Sequence, residues 1–200
     1  MDLHIAQATI HLTLPPSALE RTLGFVDGNL IERAVVARPP TTDAITPPAA
    51  GEFWPGQGGH YICTQPALLG APARHLIAGA EQDDVTFGPA IDVPDARSQV
   101  DGVANTKALL AASGEHNAAK WAAEYTADGP KDFHLPSRLD LLMGFICAPQ
   151  LFQKSGWYWS STQASRHFAF VQAFEGGGSN WSGKGNEHRV RAFRWVHLTA

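Results

Sequence analysis

Apolar residues recur along the chain at two spacings, one of strands and one of helices. Near the start, Ile10, Leu12 and Leu14 alternate with His11 and Thr13, the period of a strand, and Pro15-Pro16 ends the run. Ser17 with Glu20 has the form of a capping box and predicts a short helix through Leu23. Phe25 to Ile31 predicts two strand ends around a tight Asp27-Gly28-Asn29 turn, with the chain returning from Ile31 to Val36. Tyr61 to Cys63 and His75 to Ala78 predict strands separated by a loop that holds Pro66, Gly70 and Pro72, and residues 82–102 read as loop. Three helices are then expected. The first runs from Thr106 to Ala112. The second runs from Asn117 to Tyr125, with Ala118, Trp121, Ala122 and Tyr125 on one stripe. The third begins at Ser137 and carries Leu139, Leu142, Met143 and Ile146. Beyond Gln153 the pattern is β: Trp157 to Ser160, Phe168 to Phe174 and Arg189 to Val196. The last of these mixes apolar and charged residues on both faces, which predicts a central strand covered on both sides.

Composition narrows the classes. The 200 residues suffice for one domain with a small extra module. With 44% hydrophobic and 17% charged residues, disorder is excluded. A net charge of −4 argues against a dedicated nucleic-acid binder. No apolar run approaches the length that spans a bilayer, so no membrane insertion is expected. Met1-Asp2-Leu3-His4 lacks the basic start of a signal peptide, so synthesis without export is expected. Residues 39–58 are rich in proline, with Pro39-Pro40, Pro47-Pro48 and Pro55, and read as a semi-rigid spacer. The expected division is therefore 1–38, 39–58 and 59–200.

Few patterns point to chemistry. Cys63 and Cys147 form no CxxC pair and read as core thiols. The nine histidines include no HxH or HExxH, and the acidic runs at Asp83-Asp84 and Asp92 to Asp95 read as solvated loops, so no metal is expected. Neither a nucleotide-binding GxxxxGK nor a GxSxG is present, so no cofactor and no catalytic residues are assigned.

Three stretches carry a resemblance. Phe133-His134-Leu135-Pro136-Ser137-Arg138-Leu139-Asp140-Leu141-Leu142 is followed by Trp157-Tyr158-Trp159-Ser160-Ser161-Thr162 and closes on Arg189-Val190-Arg191-Ala192-Phe193-Arg194. Over roughly residues 51–196 the chain resembles a family of bacterial and phage domains of unknown function. That family has an LP-x-x-x-E-L helix start, a YWSST strand and a final VRxVR strand. Asp140 stands where the family usually has glutamate. The family is similar to the C-type-lectin-like fold, which phage receptor-binding proteins share with formylglycine-generating enzymes. The resemblance implies an α+β domain with a mixed or antiparallel sheet and two to three helices, preceded by a small β-containing attachment segment. Trp54 to Gly59 and Gly183 to Glu187 look like its phage and prophage branch.

What this implies is a phage tail-tip or tail-fibre protein, a virion component without catalytic activity. Its expected partners are other tail or baseplate proteins and a host surface receptor (glycan, lipopolysaccharide or pilus), and a homotrimer is expected. A structural baseplate or fibre protein without receptor binding, and an enzyme of the formylglycine-generating type, are the alternatives. The candidate ligand face lies on residues 163–167 and 176–188, with Gln163, Arg166, Asn180, Trp181, Lys184, Asn186 and His188 as its binding residues. In these glycine-rich loops Trp181 supplies apolar area and its neighbours supply directional hydrogen bonds. The competing reading is a long hairpin connection with Trp181 folded onto the core. Six basic residues, Lys154, Arg166, Lys184, Arg189, Arg191 and Arg194, concentrate positive charge at this end of the chain, where it would steer an acidic ligand.

Overall fold

The computed structural model describes the backbone of residues 19–26 and 29–36 and the whole of residues 46–198. The strand expected at Ile10 to Leu14, the Ser17 cap and residues 39–45 of the spacer lie outside these. The chain forms two units, Met1–Thr46 and Pro47–Ala200.

In the first unit, β1 (Leu19–Val26) pairs antiparallel with β2 (Asn29–Val36), in register from Val26↔Asn29 to Leu19↔Val36. The helix expected to run through Leu23 is therefore a strand from Leu19 onward. An isolated helical turn is marginal, because its first hydrogen bond fixes many dihedrals. Eight cross-strand pairs instead run the whole length of both strands.

The second unit is α+β. It has a seven-stranded sheet in the order β3-β4-β5-β9-β6-β7-β8. Its strands are β3 (Phe53–Trp54), β4 (Gly59–Gln65), β5 (Arg74–Thr86), β6 (Trp157–Gln163), β7 (Phe168–Ala173), β8 (Ser179–Gly183) and β9 (Glu187–His197). All pairings are antiparallel except β6 with β9, which is parallel, so the sheet is mixed. Helices α1 (Gly102–Ala111), α2 (Asn117–Glu124) and α3 (Arg138–Cys147) lie between β5 and β6 in the chain.

Three expectations about boundaries change. The second half of the proline-rich segment belongs to this unit: Trp54 is buried and β3 pairs with β4. Pro55 and Gly56, the latter at φ +76°, sit at the corner of a turn in which Gln57 N–H donates to the Trp54 carbonyl, as a Pro-Gly pair favours. Residues 82–86, read as loop, continue β5, because β9 pairs with them across two bulges. Residues 179–183, read as loop, form the edge strand β8 against β7.

Consecutive residues of a strand face opposite sides, and here they enter different cores. Trp159 joins Phe87, Leu109, Ala122, Leu135 and Val190 beneath α1 and α2. Tyr158 joins Leu141, Phe152, Phe174 and Phe193 beneath α3. The helices therefore cover opposite faces of the sheet. β9 is central, as its mixed pattern predicts, with Val190, Arg191, Ala192 and Phe193 all buried. Trp159 is fully buried and its indole N–H donates to the Val85 carbonyl at 2.8 Å. Trp159→Phe is expected to cost about 1–3 kcal/mol, because it strands that carbonyl and leaves a gap. A urea titration with an unchanged midpoint would refute this.

The Leu135-Pro136-Ser137 stretch has a defined place. β6 and β9 pair only at Tyr158↔Arg189 and then diverge. His134 fills the gap on the β9 side, exchanging backbone hydrogen bonds with Phe193 at 2.8 and 2.9 Å, while the Pro136 carbonyl accepts from Ser161 N–H at 2.7 Å on the β6 side. Ser137 then starts α3 with a capping box: its hydroxyl accepts from Asp140 N–H, and the Asp140 carboxylate accepts from Ser137 N–H. The other oxygen of that carboxylate meets Arg74 at 3.3 Å, both side chains being buried. Arg74 also donates to Gln65 and to the Val100 carbonyl and lies flat on Trp195, 3.4 Å from the ring centre. The motif that carries the family resemblance is thus the joint of the sheet.

Candidate recognition surface

The β7–β8 hairpin stands at the sheet edge, and its two faces differ. Phe170 and Trp181 are cross-strand partners, so they share a face with Phe168 two residues away. Trp181 is 60% exposed and Phe168 41%. The Arg138 guanidinium, at the first turn of α3, packs over Phe170 with its carbon 4.3 Å from the ring centre. The result is an aromatic platform with a cation at its side.

On the opposite face, Trp157, Val171, Asn180, Ser182 and His188 line a small cleft of about 130 Å³, which Trp181 also borders from the edge strand. His188 bonds to the Ser182 hydroxyl at 2.8 Å and rests against Trp159. Burial holds its imidazole below the ordinary histidine range. Asn186 donates to the same Ser182 hydroxyl at 2.9 Å, and the Asn180 side-chain oxygen Oδ1 accepts from Trp181 N–H.

Two of the expected binding residues lie inside the protein. Lys184 is 2% exposed. Its ammonium donates to the Ile91 carbonyl and to the Gln163 side-chain oxygen, both at 2.6 Å. Gln163, also buried, donates in turn to Asp92 at 2.5 Å. Burial pushes the Lys184 pKa down to about 8, and the nearby Asp92 charge offsets this only in part. These residues tie the turn after β8 to residues 87–93, whose Phe87 and Gly88 N–H groups both donate to the Lys184 carbonyl. They support the hairpin and do not face a ligand.

Arg166 is exposed and donates to the Ala90 carbonyl at 2.9 Å, which fixes its stem and leaves the end of the guanidinium outward. Of the seven expected residues, Arg166, Asn180, Trp181 and Asn186 are exposed, His188 is half-buried, and Gln163 and Lys184 are interior. Trp181 is not folded onto the core. The sequence reading omitted Phe168, Phe170 and Arg138 from the site. The alternation of Phe168, Phe170, Gln172 and Phe174 was the available signal for the first two. Nothing in the helix start marks Arg138, whose place over Phe170 is a tertiary contact.

Among the described residues, no three His, Cys, Asp or Glu side chains converge as a metal site would require, and no helix is long and apolar enough to cross a membrane. No protein-family model matches the chain, and no curated protein matches it.

Proposed function

We propose that the chain is a component of a bacteriophage tail, a tip or fibre protein, that binds the host cell surface through a C-type-lectin-like domain. The observation that supports this reading best is the exposed aromatic platform on β7 and β8. A tryptophan 60% exposed on a short, hydrogen-bonded edge strand is held rigidly, so little side-chain or loop entropy is lost on binding. Asn180 on the hairpin's other face and the exposed Arg166 add directional donors. That combination suits a sugar face or a protein epitope. The resemblance of the Trp54 to Gly59 and Gly183 to Glu187 stretches to the phage and prophage branch adds the phage context. In this reading the N-terminal segment attaches the domain to other tail proteins, and a homotrimer supplies avidity.

Trp181→Ala and Arg166→Ala are each expected to lower binding to host cells at least about tenfold, with an unchanged melting curve. Point variants are used because residues 176–187 include β8 and the buried Lys184, which the fold needs. If both point variants fold and bind like the parent, the platform is not the contact surface. If wild-type protein is also absent from purified virions, the tail assignment fails with it.

A further inference from the structure

We propose a second binding site, next to the platform and sharing Arg138 with it: a cleft that takes a medium-chain acyl compound with a carboxylate head and a neighbouring hydroxyl. The cleft, about 360 Å³, lies between the turn at Leu68 to Ala71 and the start of α3. That size is at the lower end of small-ligand sites and admits one chain of roughly ten carbons. Its body is aliphatic, made by Leu68, Leu69, Val100, Leu139 and Leu142. No aromatic ring lines it, so a flexible chain fits better than a flat one.

The polar groups gather around Arg138, Gln99, Gln172 and Ser179. Arg138 donates from Nε to the Ser179 hydroxyl at 3.0 Å and from one terminal nitrogen to Gln99 at 3.4 Å, and it stacks on Phe170. These neutral contacts hold the guanidinium without neutralising it. Among the described residues no carboxylate pairs with Arg138, so its charge is free for an anion. Gln172 is 2% exposed. Its amide nitrogen donates to the Ala173 carbonyl at 3.0 Å, which fixes the amide orientation and leaves the side-chain oxygen buried with no partner. A buried acceptor without a donor is costly and rare. A head group that offers a carboxylate to Arg138 and an O–H to Gln172 satisfies both residues.

Leu69 gives a third, separate indication. It occupies the left-handed region at φ +51°, followed by Gly70 at +83°, in a two-residue turn closed by hydrogen bonds in both directions between Leu68 and Ala71. Such turns favour asparagine or glycine at that position, and leucine there is disfavoured. Leu69 is also 77% exposed, so the fold gains little from its side chain. As a wall of the cleft the side chain has a use that the fold does not supply.

The test is calorimetric titration of the full chain with 3-hydroxydecanoate below its critical micelle concentration, beside decanoate and 1-decanol. One site per chain is expected. Decanoate should bind about fivefold more weakly, because it leaves Gln172 unpaired, and decanol at least about tenfold more weakly. Arg138→Gln should lower 3-hydroxydecanoate affinity at least about tenfold and leave decanol binding unchanged. Leu69→Asn should weaken 3-hydroxydecanoate about fivefold while melting at the same or a higher temperature, a result that a structural role for Leu69 would not produce. Equal affinity for decanol and 3-hydroxydecanoate, no saturable binding, or unchanged affinity in both variants would overturn the proposal. Trp181→Ala should bind 3-hydroxydecanoate like the parent, so failure of this site and failure of the host-surface reading are seen separately.

Discussion

Asp140→Ala is expected to destabilise the domain by about 3–5 kcal/mol, because it leaves a buried guanidinium without its partner. The carboxylate has two duties. One oxygen accepts from the Ser137 N–H and hydroxyl, both at 2.8 Å, and closes the capping box of α3; the other faces Arg74. Burial raises the Asp140 pKa to about 6, against the opposing pull of Arg74 and Ser137, so the pair is ionised at neutral pH. A double-mutant cycle separates charge from shape. Asp140→Asn keeps an acceptor for Ser137 and removes the charge. Adding Arg74→Met then takes away the stranded cation and should recover part of the loss. Strictly additive losses in urea titrations would show that the two side chains act through packing alone.

This joint also shows what the sequence makes legible. Ser137 with Asp140 is local, readable as a helix start from spacing alone. The partner of Asp140, Arg74, is 66 residues away on β5, and no local rule nominates it. The same division runs through the molecule. The second and third helices and the strands whose periodicity is strong fall where they are expected, α1 begins at Gly102, ahead of the expected Thr106, and β9 is central, as its mixed pattern predicts. The extension of β5 through Asp83 and Asp84 and the formation of β8 from Ser179 to Gly183 depend on pairing with neighbours that a single segment does not display. In the candidate surface, the sequence leaves Trp181 open between exposure and folding onto the core, and its place on the edge strand β8 decides for exposure. The burial of Lys184 and Gln163 is not legible, since a lysine among glycines reads as solvated until residues 87–93 close over it.

Acid is expected to weaken the domain beginning just below pH 6.5, and His134 is the main cause. The ring is fully enclosed, edge-on to Trp195 at 4.6 Å with neither ring nitrogen hydrogen-bonded, and burial together with the nearby Arg74 charge pushes its pKa down to about 3. A depressed histidine pKa means that the unfolded chain takes up a proton that the folded chain refuses. The stability this group contributes is whole above about pH 6.5 and is lost as pH falls toward 3. At pH 5 the loss from this ring is about 2 kcal/mol. His75, His116 and His188 are lowered too, each first by burial, and act in the same direction. Asp140 acts in the opposite one: its raised pKa favours the folded state increasingly as pH drops from about 6 to the ordinary carboxylate range. His134→Leu removes the histidine contribution and leaves Asp140 in place, while the backbone bonds to Phe193 need no side chain. Between pH 7.5 and pH 5 the variant should therefore lose about 2 kcal/mol less than the parent in urea titrations. Equal losses in the two proteins would mean that the imidazole accepts its proton inside the fold, and that the joint between β6 and β9 has room for a charge.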